Sequence, residues 1–185
     1  SWPDLIPKLK YWNFNTVRLA FSFPDSPPNI DTGRTAHSKY DSTKMNDVLN
    51  ILSSNGVKAI LDLHNYVDMY GYFGSDAWIN NWVNLARTYK GDKRIVAFEI
   101  FNEPYKGTHK YATQAEVHRA CARCIDAIRA IDPDRTIVYP PFSIFTIDWG
   151  SFSIPADAIR PNIIYSQHAW TTTKDVTTAK NHANG

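Results

Sequence analysis

Apolar positions follow two different periods along this chain, and the two periods take turns. Runs rich in β-branched and aromatic residues at 14–23, 57–64, 94–101, 135–139 and 162–167 read as strands. Between them lie stretches with helical spacing. Leu5, Ile6 and Leu9 share one face of 3–12, and Met45, Val48, Leu49 and Leu52 share one face of 42–55, which Asn55 and Gly56 stop. Residues 77–89 form a further helix. Thr113 and Glu116 spell a capping box that opens another, running to 131 until Asp132-Pro133-Asp134 breaks it. Residues after 173 are expected to be helical. Strands alternating with helices predict a parallel sheet with right-handed crossovers.

The run at 94–105, RIVAFEIFNEPY, organises the rest. Ile95, Val96, Phe98, Ile100 and Phe101 suit a strand buried on both faces. Pro104 cannot continue a central strand, so the strand stops at Asn102-Glu103. A carboxamide and a carboxyl group therefore stand at the carboxyl end of a buried strand, where parallel α/β folds build their sites.

Composition narrows the field. With 43% hydrophobic, 21% charged and 14% aromatic residues, the chain of 185 has the makings of a sizeable core. No apolar stretch approaches the ~20 residues that cross a membrane, and no leader pattern precedes the first helix. A formal net charge of +2 without any block of like charge offers no footprint for nucleic acid or an anionic membrane. Cys121 and Cys124 fall on one helix without a second pair, and read as two ordinary thiols on one helix face. Nothing resembles a P-loop, a dinucleotide fingerprint or a metal-ligand cluster, so neither cofactor nor metal is expected.

Five stretches together resemble glycoside hydrolase family 5, the cellulase and mannanase family of retaining (β/α)8-barrel enzymes. They are VRLAF (17–21), ILDLHNY (60–66), FNEP (101–104), RTIVYPP (135–141) and IIYSQHAW (163–170). The resemblance spans nearly the whole chain. It implies a TIM barrel, with this chain covering the second to sixth βα units as one partial catalytic domain, 1–185. The first strand and the last two have no candidate sequence. The expected activity is retaining hydrolysis of internal β-1,4 bonds in glucan. Mannan is the alternative substrate, and a non-catalytic carbohydrate binder or barrel-assembly fragment is the alternative of another class. The resemblance implies secretion, which nothing in the sequence itself marks.

Glycoside hydrolysis needs two carboxyl groups, one to protonate the leaving oxygen and one to attack the sugar. By resemblance Glu103 is the acid and base, and Asn102 bonds the 2-hydroxyl of the sugar being cleaved. Glu99 shares the strand, but four residues of rise place it roughly 13 Å away. A retaining pair needs about 5 Å and an inverting pair under about 10 Å, so Glu99 reads as an interior polar group. Asp62 reads as an orienting or structural interior acid. Arg18 is expected in a buried strand, where its charge needs a partner such as Glu99. By resemblance it orients the nucleophile, while His64 and His168 hydrogen-bond around the cleavage point. Trp170 stands where the family commonly has Tyr, with one N–H donor and no acceptor.

Asn65, Tyr66, Tyr105, Trp149 and Trp170 are expected to bind substrate. Tyr70, Tyr72, Trp78 and Phe142 also lie in or beside loops after strands. Each aromatic taken singly reads as core; as a set they point to a carbohydrate cleft for a β-linked polysaccharide. The nucleophile is the unsolved part. The three glutamates are Glu99, Glu103 and Glu116; the first is too deep and the last caps a helix. The sequence is therefore expected to be a piece of a longer enzyme, or else to be completed by a second polypeptide. Its two sheet edges, the VRLAF and IIYSQ strands, are both apolar and are expected to support self-association or pairing with a complementary fragment.

Overall fold

The computed structural model describes residues 2–26, 39–64, 71–102, 113–139 and 154–166. Within them α1 (Trp2–Tyr11), β1 (Thr16–Phe21), α2 (Ser42–Ser53), β2 (Lys58–Leu63), α3 (Asp76–Thr88), β3 (Ile95–Glu99), α4 (Gln114–Arg129), β4 (Thr136–Tyr139) and β5 (Ile163–Tyr165) follow in order. The strands form one sheet, β1-β2-β3-β4-β5, in which each neighbouring pair is parallel. A short 3-10 turn, Ala156–Ala158, precedes β5.

Local signals explain the boundaries. Asp41 caps α2 by accepting from the Lys44 amide at 3.0 Å, and Ser75 caps α3 by accepting from that of Trp78 at 3.2 Å. At α4 both halves of the expected capping box form: Glu116 N–H donates to Thr113 Oγ1 at 3.3 Å, and Thr113 N–H to Glu116 Oε2 at 2.9 Å. Gly56, at φ 74°, closes α2 in the left-handed conformation that the Asn55-Gly56 pair announces. β1 starts later than its apolar run because Asn13, at φ 57°, turns the chain out of α1 and leaves Phe14 exposed. β5 likewise starts only after Asn162, at φ 51°.

The core lies between the sheet and its covering helices. Trp78 and Trp82 of α3 are both fully buried against it, and both indole N–H groups donate to the Ile100 carbonyl, at 3.2 and 3.1 Å. That carbonyl is spent on α3, just where β3 ends. Leu49, Leu52, Leu61, Phe98, Ile125, Ile128 and Ile137 complete the same core. Cys121 and Cys124 are buried free thiols, and burial pushes both up from the ordinary thiol range, which makes them inert.

Two expectations need correction. Leu5 faces solvent, so α1 packs through Ile6 with Leu9 only partly covered. β1, the expected edge strand, is only partly buried: Phe21 at its end is covered, but Arg18 and Ala20 are exposed. β5, the opposite edge, leaves Ile164 and Tyr165 exposed. In β1 the apolar pattern reflects one covered face, not two. Residues after 173 lie outside the described residues.

Candidate active site

Parallel pairing sets the carboxyl ends of β1, β2 and β3 side by side. In register, Ala20 lies beside Asp62, and Asp62 beside Glu99. Each strand end is then pinned to its neighbour. His64 N–H donates to the Phe21 carbonyl at 2.9 Å, and Asn102 N–H to the Leu63 carbonyl at 3.0 Å. These backbone bonds bring His64 and Asn102 to the same rim.

Arg18 sits in mid-strand rather than closing β1, two residues below the Ala20–Asp62 level. Its side chain spans the difference. Nε donates to Glu99 Oε2 at 2.6 Å and Nη2 to Glu99 Oε1 at 2.7 Å, a bidentate fork. Nη1 reaches Asp62 Oδ2 at 2.9 Å, and Nη2 also donates to Asn102 Oδ1 at 2.8 Å. His64 Nδ1 lies 2.5 Å from Asp62 Oδ2. Asp62, Glu99 and Asn102 are buried, whereas the Arg18 side chain keeps 34% exposure.

The pairing fixes an amide that would otherwise flip freely. Because Arg18 donates to it, Asn102 must present Oδ1 to the arginine and Nδ2 to the other side. That buried Nδ2, and the buried Oδ1 of Asp62, have no hydrogen-bond partner among the described residues. Such atoms are costly unless something polar meets them.

Of the expected site residues, Arg18, His64 and Asn102 come together here. Glu99 is the arginine's partner, as its depth along the strand implies, and Asp62 orients both Arg18 and His64. Glu103, His168, Trp170, Asn65, Tyr66, Tyr105 and Trp149 lie outside the described residues, as do Tyr70 and Phe142. Tyr72 and Trp78 are core side chains, not sugar platforms. The Tyr72 hydroxyl donates to Asp25 Oδ1 at 3.1 Å, and Asn81 Nδ2 bonds both of them, at 2.7 and 2.9 Å. Burial pushes the Tyr72 phenol up from its ordinary value. This clasp between the β1 loop and α3 had no signal in the sequence, since its members are 47 and 9 residues apart. Among the described residues no group of three or more His, Cys, Asp or Glu could hold a metal.

A parallel βα sheet with a charged cluster at its carboxyl rim is the architecture of a barrel enzyme's active end. The family model described as cellulase (glycosyl hydrolase family 5) matches residues 1–184. The chain belongs to that family, and its sheet is part of the family's (β/α)8 barrel.

It is 28% identical over 152 residues to endo-beta-1,4-glucanase A of Emericella nidulans, across 80% of this chain and 44% of the relative. It is 25% identical over 163 residues to an endoglucanase of Paenibacillus polymyxa, across 75% of this chain and 39% of the relative. The chain thus spans less than half the length of these curated relatives. Pseudomonas stutzeri endoglucanase Cel5A, solved in complex with cellobiose, shares the fold with a TM-score of 0.61 and 22% identity, over 88% of this chain and 49% of that one.

Proposed function

We propose that this chain carries the acid side of the active site of a retaining endo-β-1,4-glucanase. The observation that carries the reading is the fixed Asn102 amide, buried, held by Arg18 through Oδ1, with Nδ2 left to donate and Glu103 next in the chain. In this reading Nδ2 donates to the 2-hydroxyl of the sugar being cleaved, a bond that strengthens as positive charge develops on the ring. Glu103 protonates the leaving glycosidic oxygen while a carboxylate attacks the anomeric carbon. Glu103 then takes the proton of the water that releases the sugar. Arg18 orients that nucleophile, which is not one of this chain's glutamates. His64 and His168 hydrogen-bond around the scissile unit, and Asn65, Tyr66, Tyr105, Trp149 and Trp170 contact the glycan. Both curated relatives are named for glucan cleavage, which supports glucan over mannan as substrate.

On the same reading, residues 1–185 are part of one catalytic domain. Exposed Ile164 and Tyr165 on β5 support pairing of that edge with further strands, from this polypeptide or another.

Glu103→Gln in the whole enzyme tests the reading. Hydrolysis of β-1,4-glucan is expected to fall by about 10²–10⁴-fold. Formation of the glycosyl-enzyme from an aryl glycoside with a very good leaving group, which needs no proton, is expected to persist. Unchanged polysaccharide turnover in this variant would sink the proposal.

A further inference from the structure

The end of β3 breaks the alternation of a strand. Phe98 packs against Trp82 of α3, ring centres 5.3 Å apart, and Glu99 turns to the opposite face, onto Arg18. Strict alternation would carry Phe101 to the Glu99 face and Asn102 to the Phe98 face. The reverse is found. Phe101 packs on Phe73 at 4.7 Å between centres, and Phe73 on Trp78 of α3 at 4.8 Å. Asn102, three residues beyond Glu99, shares its arginine. The backbone shows the same slip. Ile100 N–H donates to the Val138 carbonyl of β4 at 3.1 Å, but Asn102 N–H donates to the Leu63 carbonyl of β2 at 3.0 Å. Residues two apart in a regular strand face the same neighbour. One extra residue therefore sits at Ile100, a bulge in kind, which re-aims the side chains after it.

The bulge leaves the Ile100 carbonyl in need of donors. A parallel ladder that bonds Ile100 N–H to residue 138 would bond the Ile100 carbonyl to the N–H of residue 140. Residue 140 is proline, which has no N–H to give. The helix supplies what the ladder lacks. Trp78 Nε1–H reaches the carbonyl at 3.2 Å and Trp82 Nε1–H at 3.1 Å. The two indoles are i and i+4 on one face of α3, and both are fully buried. Ser75, accepting from the Trp78 amide, fixes where that helix begins. Two donors match the two lone pairs of the carbonyl. Without them a buried acceptor is stranded, and the strand end must shift to satisfy it.

We propose that Trp78 and Trp82 are positioning residues whose paired indole N–H groups lock the bulge at Ile100, the bulge that turns Asn102 onto Arg18 and sets the place of Glu103 one residue on. They act through the backbone of β3 from behind the sheet and touch no substrate. The consequence for hydrolysis rests on the glucanase reading above; the lock on Asn102 does not.

Replacing Trp78 and Trp82 by benzothienylalanine in the whole protein tests this, because the bicyclic rings stay while sulfur takes the place of each N–H. The side-chain amide signals of Asn102 in ¹⁵N-labelled protein, assigned by their loss in Asn102→Asp, are expected to shift. Their protons should exchange up to about 10-fold faster, the worth of one hydrogen bond. Unchanged amide signals in the folded variant would overturn the proposal, whatever the substrate. Trp78→Phe and Trp82→Phe, each leaving one donor, give the same test at smaller amplitude if the doubly replaced protein does not fold. On β-1,4-glucan, kcat per folded molecule is expected to fall by about 100-fold with KM little changed. A role in stability alone would leave the folded molecules at the parental rate, and that result would overturn the effect on hydrolysis. Shifted amide signals together with parental turnover in Glu103→Gln would sink the glucanase reading and leave the lock on Asn102 standing.

Discussion

Two arginines stand at opposite ends of the same sheet, and they are held in opposite ways. At the amino end Arg135 is sealed, with 5% of its side chain exposed. Its Nε donates to Asp132 Oδ2 at 2.9 Å, Nη1 to the Ile95 carbonyl at 2.7 Å and Nη2 to the Tyr89 carbonyl at 2.9 Å. Its guanidinium carbon lies 4.6 Å from the centre of the Phe98 ring. Two of these partners are backbone, and Asp132 is itself held by the Gly91 amide at 3.3 Å. At the carboxyl end Arg18 is a third exposed, and the partners described above are all side chains: Glu99, Asp62 and Asn102. An arginine clamped by backbone ties elements together. One clamped by side chains sets the orientation of those side chains, and it leaves Asp62 Oδ1 and Asn102 Nδ2 with unmet capacity. The contrast matches the division of barrel sheets into a stabilising amino end and a reactive carboxyl end.

The largest expected effect is on stability at the amino end. Arg135→Met would leave Asp132 buried and unpaired, with the Ile95 and Tyr89 carbonyls short of a donor. We expect a loss of about 3–5 kcal/mol in chemical denaturation. The rate of hydrolysis per folded molecule should stay near that of the parent. A variant with parental stability would erase the distinction between the two ends.

Two histidines sharpen the comparison with a smaller effect. His64 belongs to the polar rim. His118 of α4 is fully buried behind the sheet, its Nδ1 3.0 Å from the Tyr139 hydroxyl. Burial disfavours the imidazolium and lowers the His118 pKa from 6.5 to about 4. Between those values the unfolded chain binds the proton more tightly, so this contribution is fully present above pH 6.5 and is lost as pH falls toward 4. Carboxylates such as Asp92 and Asp126, held low by Arg94 and Arg160, also weaken the fold in acid, so the variant must be compared with its parent. Relative to the parent, His118→Gln should lose less stability between pH 7 and pH 4.5, by about 1–3 kcal/mol. Identical pH dependence in the two proteins would contradict this.

Much of the frame was legible because its signals are local. The capping box at Thr113 and Glu116 and the stop at Asn55-Gly56 each act within four residues of themselves. The Arg18–Glu99 pair was legible for a different reason: a charge on an apolar strand must find its opposite, and only interior acids were on offer. That β1 and β5 are the edges was legible from the strand count, but the exposure of Arg18 was not, since an apolar run says which residues suit a sheet and not which face of an edge strand is covered. Tyr72 and Trp78 show the matching limit for aromatics. Their loop positions suit a cleft, but the indole of Trp78 is used on the Ile100 carbonyl and the phenol of Tyr72 on Asp25. Neither partner is close in sequence. The Asp62–His64 contact joins i to i+2, which in a regular strand is a same-face spacing.

If the carboxyl-end arginine serves catalysis and the amino-end arginine serves the fold, one substitution made at both must separate them. The direct measurement is β-1,4-glucan hydrolysis per folded molecule in Arg18→Lys and Arg135→Lys of the whole enzyme, side by side. Lysine keeps each charge but cannot supply the planar fork that orients Asn102 while gripping Glu99. A fall of about 100-fold is expected for Arg18→Lys, the cost of misplacing a reacting constellation by about an ångström, and a near-parental rate for Arg135→Lys. A parental rate in Arg18→Lys, or a collapse of rate in folded Arg135→Lys, would contradict it.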